Sequence, residues 1–489
     1  MRRLTLFVGA LGLLASFTVA AAAQPLERLA GVVHVHSDIS TGTLSLDQLA
    51  ALAEKQGIGA LLVTENYLLR IEYGLWPFRA LTRVTREEPS VLADLEGYLD
   101  RVARAGAQAP RVVLVPGVEL IPHHYWTGSP WALEMALHGT QKNLLAFGLT
   151  DPAALRSLPV VGNPHAHVFA TQSLVDALPA LLIVPGAILL IRKRPRRHSL
   201  GRAVIVVRRR AWWPGLLVVA VGVAALVRGW PFTVDRYPVW EAHGLEPHQT
   251  LIDHVEKLGG VSVWSLPEAR DSGGDQVGPV RVTWETEPYP DDLLRTFRYT
   301  AFGAIYEDTT RFERPGGGWD RLLNQYAAGE RRRPAWALGE SGFHDLAGGK
   351  AIGPVQTVFL VRERSPRAVL DALRAGRMYA LQRTRELSLE LTDFSVTAGE
   401  AVALAGETAL TAPGTSLDVT IAVDSPRGAR QDLRVTLVRN GVVLGAWIGP
   451  TPYRGAHREV FDGTPLVFRL EVRGHGPRLL SNPIFVKSR

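Results

Sequence analysis

Two histidines stand two residues apart at the end of a short β-branched run, Gly31-Val32-Val33-His34-Val35-His36, followed by Ser37-Asp38. In an extended strand, residues i and i+2 share a face, so His34 and His36 offer two imidazoles to one side. That is a metal-ligand arrangement, although a His-x-His pair taken alone is more often incidental. Acids also stand at the ends of apolar runs. The run at 60–64 ends on Glu65-Asn66, and the run at 111–118 delivers Glu119. A further histidine, His344, follows Gly339-Glu340-Ser341-Gly342-Phe343. Imidazoles and carboxylates gathered in one place hold a divalent cation, which makes bound water a nucleophile near neutral pH. His123, His124, His138, Glu241, His243 and Asp345 are further groups that could complete such a site, or could simply be solvated or packed. The chain has no cysteine, which excludes disulfides, Cys-ligated zinc and cysteine nucleophiles. No phosphate-binding glycine loop or serine triad motif is present.

The elements that would carry these groups alternate. Strands are expected at 31–36, 60–64, 111–119, 143–148, 261–265, 302–306 and 335–339. Helices are expected at 46–56, 89–105, 249–258, 291–298 and 319–329, with Gly57 and Gly259-Gly260 as C-terminal stops. Strand–helix alternation predicts a parallel sheet with right-handed crossovers, and seven strands predict a closed α/β barrel with its polar groups on one rim. Arg314-Pro315-Gly316-Gly317-Gly318 and Ser272-Gly273-Gly274 read as loops.

Five segments in this order resemble the PHP (polymerase and histidinol phosphatase) superfamily over about residues 30–385. They are His34-Val35-His36-Ser37 with Gly42-Thr43-Leu44, Val63-Thr64-Glu65-Asn66, Pro116-Gly117-Val118-Glu119, Gly259 to Ala269, and Gly339 to His344. The resemblance implies a (β/α)7 barrel and a two- or three-metal cluster that hydrolyses phosphate esters. It places His34, His36, Glu119 and His344 at ligand positions. The other positions depart from the family pattern. Thr41 stands where many members have an acid or histidine, and Glu65-Asn66 where they have Asp-His. Leu266 replaces a histidine and Gly342 an aspartate. Asn143, with His138 nearby, occupies the place of the fourth-strand histidine. Leucine and glycine side chains cannot ligate. The surviving set therefore suits one Zn, Mn or Fe ion rather than two or three, with Glu65, Asn66, His138, His123, His124 and His243 as auxiliary candidates. Two readings follow: a one-metal phosphoesterase, or a catalytically inactive pseudoenzyme whose PHP domain serves as an envelope ligand-binding or assembly module.

The remaining signals concern membranes. Residues 1–23 read as a secretory signal, with Arg2-Arg3, an apolar run and Ala21-Ala22-Ala23, or else as an uncleaved anchor. Two apolar stretches inside 171–230 are each near the length that crosses a bilayer. Between them, residues 192–210 carry Arg192, Lys193, Arg194, Arg196, Arg197, Arg202, Arg208, Arg209 and Arg210, with no acid. The chain's formal charge is +7, so without these nine cations the rest carries −2. The basic excess is one loop rather than a domain face, which excludes a nucleic-acid-binding surface. A basic loop between apolar helices is expected on the cytoplasmic side. That places the barrel parts, 24–170 and 231–385, on the periplasmic or extracellular side of a bacterial inner membrane, with membrane lipid as a partner and the small-molecule or envelope substrate unspecified. Residues 386–489 alternate in short runs around Asn440-Gly441 and read as an immunoglobulin-like β-sandwich, with strands expected at 386–391, 416–423, 433–438, 442–447, 466–472 and 484–487.

Overall fold

The computed structural model describes residues 26–347, 350–426 and 430–489; the signal segment expected at 1–23 lies outside them. Seven strands position the functional groups: β1 Glu27–Val35, β2 Ala60–Asn66, β3 Val113–Leu120, β4 Leu144–Phe147, β5 Val261–Trp264, β6 Ala301–Ile305 and β7 Trp336–Gly339. They lie side by side in chain order. After β7 the chain turns back onto β1. Ser341 N donates to Val33 O at 2.9 Å, Phe343 N to His34 O at 3.0 Å, and His36 N to Phe343 O at 2.9 Å. The two ends of the seven-strand array are thereby joined. Their side chains build one core that includes Val33, Leu62, Val115, Phe147, Trp264, Phe302 and Leu338.

Each crossover helix is set by its own sequence. Ser45 caps Leu46–Lys55 in a reciprocal box with Gln48, and Gly57 leaves the helix at φ 73°, satisfying end groups that the helix cannot pair internally. Asp94 caps Leu95–Gln108, so this helix starts later than the Pro89 expected from composition.

The expectation of an all-parallel sheet fails at one strand. β4 runs antiparallel to both β3 and β5. The connection from β3 explains it. Instead of a helix, residues 125–138 form a hairpin, Tyr125–Ser129 with Glu134–His138. A chain that returns through a hairpin has no helical crossover to restore its direction. The Ser272-Gly273-Gly274 loop is also corrected: it lies inside the strand Asp271–Val277, paired with Val280–Thr286. A Cβ on Gly273 would sit 2.3 Å from the Trp284 ring, so glycine here admits an indole across the strand rather than a turn.

Two helices inserted between β4 and β5, Thr171–Ile191 and Trp212–Gly229, are long and apolar enough to cross a membrane, with only 11% and 17% of their apolar windows buried. They pack closely on glycines. A Cβ on Gly186 would lie 2.7 Å from Val219 N, and one on Gly222 2.7 Å from Ile183 N. The basic loop between them is a two-stranded ribbon, Lys193–Leu200 with Ala203–Arg210.

Beyond β7, strands β8 Val355–Val361 and β9 Met378–Gln382 extend the sheet from β1 into the C-terminal domain, so one sheet runs through both. The sandwich's other sheet is Ala401–Leu404, Glu390–Ala398, Ser416–Asp424 and Tyr453–Val460. Its first long strand begins at Glu390, later than the 386–391 run suggested. A buried bidentate pair, Arg469 Nε and Nη2 each donating to Asp320 at 2.6 Å, locks the sandwich to the helix Gly318–Ala327.

Candidate metal centre

His34 and His36 leave the end of β1, and Glu119 that of β3. Their ligand atoms meet. His34 Nε2 lies 3.1 Å from His36 Nε2 and 3.3 Å from Glu119 Oε1, and His36 Nε2 lies 3.3 Å from Glu119 Oε2. Donors about 2.0–2.1 Å from a tetrahedral ion stand roughly 3.3 Å apart; the His34–His36 spacing and each histidine's distance to its nearer Glu119 oxygen are of that size. His34 sits at a bulge where the β1–β2 register shifts, with φ 69°. For a non-glycine residue that conformation costs about 1–3 kcal/mol and is typical of functional sites.

A second layer fixes both rings. Glu340, fully buried just past β7, accepts from His34 Nδ1 at 2.6 Å, from the Ser265 hydroxyl at 2.5 Å and from Leu266 N at 3.0 Å. A Cβ on Gly303 would sit 2.0 Å from the Glu340 carboxylate, so only glycine leaves room for it. His36 Nδ1 lies 3.3 Å from Ser40 Oγ, whose hydroxyl donates in turn to Glu65. With each Nδ1 proton so engaged, each Nε2 presents a lone pair inward. Asn143 Nδ2 holds Glu119 Oε1 at 2.7 Å.

Three electron-pair donors facing one another in a buried space require a positive charge between them. Without a metal, that charge is a proton. Burial would lower the His34 pKa, but the Glu119 and Glu340 carboxylates outweigh it and raise it to about 10. Burial would raise the Glu119 carboxyl, yet the two imidazoles hold it well below the ordinary range. A divalent cation fits the same trio through two neutral imidazoles and a carboxylate.

His344, the fourth expected ligand, is outside this trio. Its ring stacks on His36 with centroids 4.1 Å apart, and its Nδ1 lies 3.0 Å from Thr41 Oγ1. Burial, reinforced by the neighbouring His36 and His34, lowers its pKa to about 4. Asn66 donates to the same Thr41 at 3.2 Å. Glu65 faces away from the trio and accepts from Ser37 N at 2.9 Å and from the Ser37 and Ser40 hydroxyls. Burial raises its pKa against those hydrogen bonds. The other auxiliary candidates gather elsewhere. His123 stacks edge-on to His243 and lies 3.2 Å from Glu241 O. His124 is buried beside it, and burial brings both down to about 4. His138 lies 2.8 Å from Thr127 on the accessory hairpin. Sequence reading passed over Glu340, Ser265 and Gly303. The one signal for Glu340 was its place directly after a strand, the same position that marked Glu65.

No family model matches the chain, and no curated protein is found similar to it. Solved structures similar to it include a two-domain protein from Bacteroides vulgatus containing a predicted PHP-like metal-dependent phosphoesterase, 13% identical over 91% of this chain and 90% of that one, with a TM-score of 0.35. A protein from Bifidobacterium adolescentis taken to be a metal-dependent phosphoesterase is 13% identical over 66% of this chain and 90% of that one, TM-score 0.28. An amidohydrolase from Chromobacterium violaceum with bound sulfate is 13% identical over 66% and 89%, TM-score 0.25. Likenesses this slight decide nothing about fold or activity; the site's own geometry does.

Proposed function

We propose that this is a membrane-anchored, exported hydrolase of PHP type, with a single divalent metal held by His34, His36 and Glu119 in a (β/α)7 barrel, acting on phosphate esters. The observation that carries the reading is the convergence of His34 Nε2, His36 Nε2 and the two Glu119 carboxylate oxygens, at 3.1–3.3 Å from one another across the trio, backed by carboxylate and hydroxyl partners that aim both imidazoles. A bound Zn, Mn or Fe ion there would lower the pKa of a coordinated water and polarise a phosphoryl oxygen. The chain's own groups do the rest. Glu340 keeps the His34 ring oriented, and Asn143 keeps Glu119 turned toward both histidines. His344 is neutral at pH 7 and stacks against the His36 ring, with its Nδ1 at Thr41. Positions that would hold a second ion in the wider family are Leu266 and Gly342, which cannot ligate, and Glu65 is committed to Ser37 and Ser40. This supports one ion rather than a bridged pair. The two apolar helices support a membrane hairpin with the basic ribbon on the cytoplasmic side and the metal centre on the periplasmic side of a bacterial inner membrane.

The test is metal analysis of the detergent-solubilised full-length protein, followed by turnover of a chromogenic phosphoester. About one transition-metal ion per chain is expected, with turnover abolished in His34→Ala. Protein with no tightly bound metal would sink the hydrolase reading and leave a ligand-binding or assembly module.

A further inference from the structure

A cleft of about 130 Å³ opens where the helix pair joins the rest of the protein. Its walls come from four parts of the chain: the strand Leu69–Tyr73, the helix Arg79–Thr82, the non-ribbon ends of both apolar helices, and the segment that follows them. Three arginines line it, Arg79, Arg83 and Arg228, and so do three carboxylates, Glu72, Asp176 and Asp235. The carboxylates are partly engaged by neighbours: Glu72 lies 3.1 Å from Arg70 Nη2, Asp176 accepts from Gln172 Nε2 at 2.7 Å, and Asp235 accepts from Gly162 N at 2.8 Å. The arginines within the cleft are paired loosely. Arg79 Nη1 is 3.6 Å from Asp176 Oδ1, and Arg83 Nη1 is 3.8 Å from Glu72 Oε2; both are beyond hydrogen-bond length. Arg79 Nη1 is sequestered from solvent with no hydrogen-bond partner, an unfavourable state that an arriving acceptor would relieve. The Arg79 guanidinium lies flat on the Trp240 indole, 3.5 Å from its centroid, which leaves its in-plane N–H groups free to donate. Arg228 has no ion-pair partner among the described residues.

The cleft's level is marked independently. Phe169, just before the first apolar helix, is 67% exposed, and Trp230, which ends the second, is 72% exposed. Trp76, between the cleft residues Gly74 and Arg79, is 65% exposed. Exposed aromatics at the ends of apolar helices sit at the headgroup level of a bilayer.

We propose that this cleft binds the headgroup of a zwitterionic phospholipid bearing a phosphodiester and a primary ammonium, as in phosphatidylethanolamine. The arginines receive the phosphodiester through charge-assisted hydrogen bonds, and the carboxylates receive the ammonium. The three lining carboxylates decide against an acidic lipid or free phosphate, either of which would bring further negative charge beside them with no cation of its own. A choline headgroup has no N–H to donate to those carboxylates. The inference rests on the membrane-hairpin reading above.

Native mass spectrometry of the delipidated full-length protein offered phosphatidylethanolamine, phosphatidylcholine and phosphatidylglycerol of equal chain length tests it. One phosphatidylethanolamine should be retained, at least tenfold above either competitor, while soluble glycerophosphoethanolamine is not retained. Arg79→Gln should reduce retention about tenfold or more. Arg228→Gln, at an exposed position where folding is not at stake, should do the same. Equal retention of the three lipids, preference for phosphatidylglycerol, equal retention of the soluble headgroup, or no loss in Arg228→Gln overturns the proposal. Alkaline carbonate extraction separates the two readings. Protein released by carbonate means that the membrane hairpin itself is wrong, whereas extraction-resistant protein without headgroup preference overturns the headgroup site alone.

Discussion

A buried trio of donors with no cation between them is unstable, and His34 is where the deficit shows. Its pKa of about 10 in the metal-free protein means that a metal must displace a proton there at neutral pH. Each ion bound should release close to one proton, and affinity should rise about tenfold per pH unit until pH 10 is approached. Calorimetry in buffers of different ionisation enthalpy reads this directly, and zero proton release would contradict it. The same shift has a sign for stability. Its folded value lies above the unfolded 6.5, so the stabilisation is complete below pH 6.5 and disappears as pH climbs toward 10. Metal-free protein should therefore lose thermal stability over that window, and the loaded protein should not. Glu340→Gln removes the charge that aims His34 while leaving the ligands in place; metal affinity should fall about 10–100-fold, measured by chelator competition. His34, His36 and Glu119 were legible in the sequence because spacing and strand ends expose such residues. Glu340 was not, because its partner is 306 residues away in the chain. His344 shows the converse: motif position marked it as a ligand, yet it packs against His36 beside the trio.

At the scale of elements, periodicity located all seven strands that carry the site, yet left the direction of β4 undetermined. Direction is a property of the connection, and the hairpin at 125–138 lacks the Asn-Gly or Asp-Gly turn that announces such a return. The Ser272-Gly273-Gly274 error has a similar origin: glycine that clears space for Trp284 looks the same in sequence as glycine that turns. The two apolar helices were legible from length and composition, but the glycines that join them were not. Gly186 and Gly222 let the backbones approach closely, the packing that small residues permit between membrane helices. Gly222→Leu should force the pair apart. Crosslinking between single cysteines introduced at 183 and 219 should then drop several-fold, with metal content unchanged. Undiminished crosslinking would show that the pair does not depend on this contact.

At the scale of the whole molecule, the described residues form two hydrophobic cores beneath one continuous sheet, so the boundary that composition suggested near residue 385 is a change of core rather than a flexible linker. The pair of apolar helices is attached differently. The hairpin leaves and re-enters through a neck closed by backbone bonds, Val168 N to Val234 O at 2.9 Å and Val234 N to Val168 O at 3.0 Å. Asp235 braces the neck by accepting from Gly162 N at 2.8 Å. Two segments bridged antiparallel in this way can be joined by a turn of a few residues. The helices beyond contribute almost none of their surface to either core; the 11% and 17% burial of their apolar windows is mostly their contact with each other. Replacing residues 171–231 with a short Asn-Gly turn should therefore yield a protein that is soluble without detergent and binds one metal ion per chain. Affinity should stay within about threefold of the parent, because His34, His36, Glu119 and their supporting residues all lie outside the excised segment. A folded protein that still partitions into membranes would place the anchor elsewhere. An unfolded or metal-free product would mean that the hairpin helps to hold the two halves of the seven-strand array together, which its sparse burial argues against.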